Sequence, residues 1–135
     1  MNIALIAHDS KKSSLIDFVC ERRNFFSRLD VNLMATKNTA ELLNQCGIHI
    51  NQVCHSGPLG GDIEIAAKVC AGDVDLVVFF RDSLSSHPHQ ADIDALIRVC
   101  DLYEVPVVTN KKAAQSFNFN FIDTKISNVG LTGIV

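Results

Sequence analysis

Leu76-Val77-Val78-Phe79-Phe80-Arg81-Asp82 is a run of five apolar residues that stops abruptly at a charged pair. Such a run, with no polar residue, fits a strand covered on both faces, as in the middle of a parallel sheet. Ile3-Ala4-Leu5-Ile6-Ala7, closed by His8-Asp9, repeats the pattern at the start of the chain. Outward from these two, further strands are predicted over residues 31–35, 48–53 and 105–109. Amphipathic stretches separate them. Ile63, Ala66, Ala67 and Cys70 follow the i, i+3, i+4, i+7 spacing of a helix face, and so do Ile93, Leu96, Ile97 and Cys100. Leu15, Val19 and Phe26 suggest one more helix, and Leu42, Leu43 and Cys46 another. Gly47 and Gly72 suit helix ends; Asp62 and Asp92 suit helix beginnings.

Strand–helix alternation predicts an α/β architecture: a three-layer, doubly wound, Rossmann-like domain with a five-stranded, mostly parallel central sheet. One domain over residues 1–135 is expected. The tail, 117–135, is open between an edge strand carrying Phe119, Phe121 and Ile126 and a contact with another subunit.

Composition narrows the function classes. The chain has 135 residues, 47% of them hydrophobic, which is enough for a core without staples. Net charge is −3 and no Lys/Arg run exceeds two residues, so a non-specific nucleic-acid surface is not expected. A small anion remains compatible, since a local pocket can oppose the global sign. The five cysteines are odd in number and lack a C-x-x-C pair, so they read as buried thiols in a reducing compartment. The N-terminal apolar run is too short for a signal peptide, and no stretch is long enough to span a bilayer. A cytoplasmic protein is expected.

The polar and glycine residues collect where the strands end, and in open α/β sheets ligands bind beyond those ends. Five such exits, His8-Asp9, Thr36-Lys37-Asn38-Thr39, Ser56-Gly57, Asp82 and Thr109-Asn110, are expected to meet in one crevice. Ser56-Gly57-Pro58-Leu59-Gly60-Gly61-Asp62 opens a helix, and its free N–H groups beside a Ser hydroxyl suit a phosphate. It matches neither the P-loop nor the dinucleotide fingerprint, and Asp62 also suits a simple helix cap. Thr36-Lys37-Asn38-Thr39 offers hydroxyls, N–H groups and an ammonium to a second anion position, with Lys12 as another cation. Its alternative is a polar turn in which Asn38 or Thr39 caps the next helix. His87-Pro88-His89 supplies imidazoles that titrate near neutrality, although no third ligand stands at metal-binding spacing. Asp9, Asp62, Asp82 and Asp92 add carboxylates, and a carboxylate working with a neutral imidazole suits proton abstraction beside a carbonyl. That pairing in triose phosphate enolisation is a known example on another fold.

Together these segments resemble the methylglyoxal synthase family. The resemblance rests on residues 3–9 with Lys12, on Ser56-Gly57-Pro58-Leu59-Gly60-Gly61-Asp62, on Phe79-Phe80-Arg81-Asp82-Ser83-Leu84 with Pro88-His89 and Asp92, and on Val105-Pro106-Val107-Val108-Thr109-Asn110. It covers about residues 2–114. It implies a cofactor-free homohexameric lyase, regulated by phosphate, that converts dihydroxyacetone phosphate to methylglyoxal and inorganic phosphate. It implies Asp62 as base and His89 as enediolate stabiliser. Substrate would be held by His8, Lys12, Thr36, Lys37, Asn38, Thr39, Ser56 and Gly57, with Asp9, Asp82 and Asp92 in support. The family turn Thr-Gly-Thr-Thr reads Thr36-Lys37-Asn38-Thr39 here, and Asp-Pro-Leu reads Asp82-Ser83-Leu84. A non-catalytic anion sensor of the same fold and a triose phosphate isomerase-like enzyme are the rival readings.

Overall fold

The computed structural model describes residues 1–119. Five strands form one sheet: β1 (Asn2–Ala7), β2 (Asn32–Thr36), β3 (Gln52–Cys54), β4 (Leu76–Phe80) and β5 (Val107–Val108). Their spatial order is β3-β2-β1-β4-β5, and every pairing is parallel. The helices are α1 (Lys12–Glu21), α2 (Arg23–Phe26), α3 (Lys37–Gln45), α4 (Gly61–Cys70), α5 (Gln90–Leu102) and α6 (Lys111–Ser116).

The strands alternate between two cores. Ile3, Leu5, Leu33, Ala35, Leu76, Val78 and Phe80 face the layer of α1, α2, α3 and α6. Ala4, Ile6, Met34, Val77 and Phe79 face Ile65 and Val69 of α4 and Ile93 and Leu96 of α5. Burial on both sides is why these strands read as unbroken apolar runs.

Several expectations need correction. The predicted strand over 48–53 shrinks to the edge strand Gln52–Cys54, where Gln52 and Val53 are exposed. Ile48 and Ile50 are buried in the loop before it. The helix expected through Phe26 breaks at Arg22 into α1 and α2. On α4 the buried face is Asp62, Ile65, Ala66 and Val69; Ile63, Ala67 and Cys70 are exposed. Only Cys54 and Cys100 are buried thiols, whereas Cys70 is exposed. Gly47 and Gly72 do end helices, at φ 81° and 80°. Phe119 packs on Phe18, Phe25 and Phe26 rather than on a sheet edge. Phe121 and Ile126 lie outside the described residues.

The chain reverses direction across the sheet between β1 and β4, its topological switch point. His8 leaves β1 beside Phe80, whose carbonyl accepts the His8 N–H at 3.1 Å. Whatever follows β1 and β4 is therefore brought side by side.

Candidate active site

A cavity of about 460 Å³ lies over this switch point. It is lined by His8, Asp9 and Lys12 after β1, by Thr36 and Asn38 after β2, by Ser56, Gly57 and Asp62, and by Asp82, His87 and His89 after β4. Four of the five expected exits meet. The fifth, Thr109-Asn110, does not line the cavity: Asn110 caps α6, its side-chain oxygen accepting from the Ala113 N–H at 2.8 Å.

Asp62 stands in the first turn of α4, 1% exposed, at the head of the helix's inward stripe. It is not a cap. The N-cap position is Gly60, no side chain caps the helix, and neither Asp62 oxygen has a hydrogen-bond partner among the described residues. Burial raises its pKa, and Asp92 adds to the shift; His89 and His87 oppose it. His89, the residue before α5, approaches through Nε2 at 3.5 Å from Asp62 Oδ2. The glycine turn allows this approach: a Cβ on Gly57 would lie 2.8 Å from His89 Nε2 and 3.5 Å from Asp62 Oδ2. At Gly61 a Cβ would lie 1.9 Å from the His55 carbonyl oxygen.

His8 is nearly buried, and its Nδ1 accepts the Asp82 N–H at 2.7 Å. In the neutral ring the proton then sits on Nε2. Burial lowers the His8 pKa to about 4, helped by His87, His89 and Arg81 and opposed by Asp82. Near neutrality His8 is an uncharged N–H donor. Nitrogens of His8, His87 and His89 lie within 4.8 Å of one another, so the fold supplies the third imidazole that sequence spacing lacked. As hydrogen-bonded, His8 has its proton on Nε2 and its Nδ1 lone pair engaged, so it presents no free lone pair to a metal ion.

The remaining predicted residues play different parts. Lys12 lines the cavity with its ammonium bonded to the exposed Asp9 carboxylate, and that bond holds the Asp9 pKa down. Asp82 ties its own loop: its carboxylate accepts from Ser85 Oγ (2.7 Å), Ser10 Oγ (2.9 Å) and the Leu84 N–H (3.0 Å). These bonds lower its pKa to about 2, so it is an ionised brace rather than a proton carrier. Asp92 acts on Asp62 only through its charge and does not line the cavity.

The Thr36-Lys37-Asn38-Thr39 segment divides. No side chain caps α3; Thr36 itself is the N-cap residue, and α3 begins at Lys37 without an intervening turn. Thr36 and Asn38 reach the cavity. Thr39 is buried behind it, its hydroxyl without a partner among the described residues. Lys37 is exposed and lines a separate depression with Glu41, His55 and Glu64. The N-terminus of α3 and the Ser56-Gly57 turn before α4 both face the cavity, which suits an anion. Sequence reasoning did not single out Ser10, Ser85 and Ser86, since serines in a loop carry no signal until a carboxylate is seen among them.

Residues 19–109 match the family model described as the MGS-like domain. The methylglyoxal synthase of Carboxydothermus hydrogenoformans is 48% identical over 118 residues, 87% of this chain and 95% of that protein. The chain belongs to the methylglyoxal synthase family. A second family member, from Oceanobacillus iheyensis, is 43% identical over 118 residues, covering 87% of this chain and 82% of that one. The fold of the family recurs too. The crystal structure of methylglyoxal synthase from Elizabethkingia anophelis NUHP1 superposes with a TM-score of 0.78 at 33% identity, covering 87% of this chain and 78% of that chain.

Proposed function

We propose that this protein is a methylglyoxal synthase, a carbon–oxygen lyase that converts dihydroxyacetone phosphate to methylglyoxal and inorganic phosphate. The observation that carries the reading is the buried Asp62 carboxylate, 3.5 Å from His89 Nε2, over a cavity ringed by anion-binding groups. A carboxylate whose pKa is raised by burial is a stronger base than an exposed one, as proton abstraction from carbon requires. Asp62 takes a proton from the hydroxyl-bearing carbon, and the electron pair moves to form the enediolate. Negative charge then grows on the oxygens, where the N–H groups of His89 and His8 stabilise it. Collapse of the enediolate expels phosphate by breaking its C–O bond. The enol so formed takes up a proton on carbon and becomes methylglyoxal.

Phosphate is held by the Lys12 ammonium, the start of α3 with Thr36 and Asn38, and Ser56-Gly57. Keeping the C–O(P) bond out of the enediolate plane favours elimination over isomerisation. Lys37 contributes no direct contact in this reading, since it lines the neighbouring depression. The protein works as a homohexamer regulated by phosphate. The free thiols fit the reducing cytoplasm, and among the described residues no helix is long and apolar enough to cross a membrane.

The test is incubation of the purified protein with dihydroxyacetone phosphate, following methylglyoxal and free phosphate together. Equal amounts of the two are expected. Glyceraldehyde 3-phosphate without free phosphate would select the isomerase, and phosphate binding without turnover would select the sensor. Light scattering on the same sample reads the assembly.

A further inference from the structure

His87 is absent from the roles assigned above, yet it is the residue in closest aromatic contact with His8. The two rings stack with centroids 3.8 Å apart and planes 24° from parallel. Phe79 meets His8 edge-on, with centroids 5.1 Å apart. The Asp82 backbone links the two imidazoles. Its N–H donates to His8 Nδ1 at 2.7 Å, and its carbonyl lies 3.1 Å from His87 Nε2, where only a ring N–H can bond it. The backbone of one residue thus fixes the proton of both rings, and the Asp82 carboxylate holds that backbone in place through Ser10 and Ser85.

We infer that His87 is a positioning residue: stacked on His8 and hydrogen-bonded to the Asp82 peptide, it keeps His8 a neutral imidazole with its proton on Nε2. The inference rests on the proposed reaction, in which His8 donates to the enediolate, but its structural part does not. Protonating His8 at Nδ1 would turn an acceptor into a second donor facing the Asp82 N–H. It would also place a cation against the His87 ring, beside His89 and Arg81. The acids facing His8 are Asp82 and Asp9, and Asp9 is already bonded to Lys12. Cover by His87 therefore matters most where water would otherwise solvate the charged ring.

Two variants of the full chain separate the parts of this role. His87→Phe keeps an aromatic face and removes the donor to Asp82. His87→Gln keeps an amide N–H for that carbonyl and removes the face. Nitrogen-15 NMR of the imidazoles reads the tautomer and titration of His8 directly, without reference to activity. In the unmodified protein His8 is expected as the Nε2–H tautomer, titrating at about 4. In His87→Gln its titration moves up by about one pH unit, and in His87→Phe it stays low. At pH 5, kcat/KM of His87→Gln falls about twofold relative to its own value at pH 7.5, beyond the slight fall expected of the unmodified protein. Part of that kinetic change also passes through Asp62, whose carboxyl feels His87, so the NMR titration decides. A His8 titration unchanged in both variants would overturn the inference. Absence of methylglyoxal formation by the unmodified protein would instead overturn the proposed reaction and leave the NMR result standing.

Discussion

Asp62 is buried, carries no hydrogen bond from the described residues and keeps a charge at neutral pH only at a cost. In the proposed reaction, a residue tolerated on those terms is placed for chemistry rather than for stability. Its folded pKa is raised above the unfolded value. The stability tied to its protonated form is therefore full below the unfolded pKa and lost as pH rises through the folded pKa. Asp62→Asn is expected to lower kcat by about a thousandfold or more. It is also expected to raise stability at neutral pH by about 1 kcal/mol, the reverse of a core defect. Thermal melts of both proteins from pH 4 to 8 check this, and the stability gap should widen as pH rises. The residue types at the site were legible in the sequence. The state of His8 was not, because it depends on a peptide 74 residues away.

At the scale of an element, α4 shows where pattern reading fails. Ile63, Ala66, Ala67 and Cys70 and the true inward set Asp62, Ile65, Ala66 and Val69 have the same spacing, displaced by one residue. Hydrophobic periodicity prefers the stripe without a carboxylate, and the fold chose the one with it. The turn before α4 was legible as a glycine turn, but its glycines do different work. Gly57→Ala pushes a methyl into His89, a side chain, so activity is expected to fall about a hundredfold while the fold survives. Gly61→Ala drives a methyl into the His55 backbone, which cannot retreat without moving β3 and α4. A loss of about 3 kcal/mol or more is expected. Denaturant titration beside a turnover assay separates the two outcomes. The edge strands were misjudged in length for a related reason. Ile48 and Ile50 are apolar because the core needs them, not because they pair in the sheet.

For the whole molecule, acid is the informative stress. His8 has its pKa lowered from 6.5 to about 4, so the unfolded chain binds that proton first as pH falls. The stability associated with neutral His8 is present above pH 6.5 and lost on the way to pH 4, a loss of up to roughly 3 kcal/mol. Asp62 works in the opposite sense over the acid range, so the difference between the unmodified protein and His8→Asn isolates the histidine. Urea titrations at pH 7 and pH 4.5 are expected to show a smaller pH dependence in the variant. The sequence by itself determined the alternation of strands and helices, the two-sided burial of the sheet and the inventory of groups at the strand ends. Those follow from local periodicity and from which residues tolerate burial. Only the tertiary structure decided that Thr109-Asn110 serves a helix cap, that Lys37 leaves the cavity, and that three histidines gather over one carboxylate. Those outcomes depend on strand order and on distances between residues far apart in the chain, which no local pattern encodes.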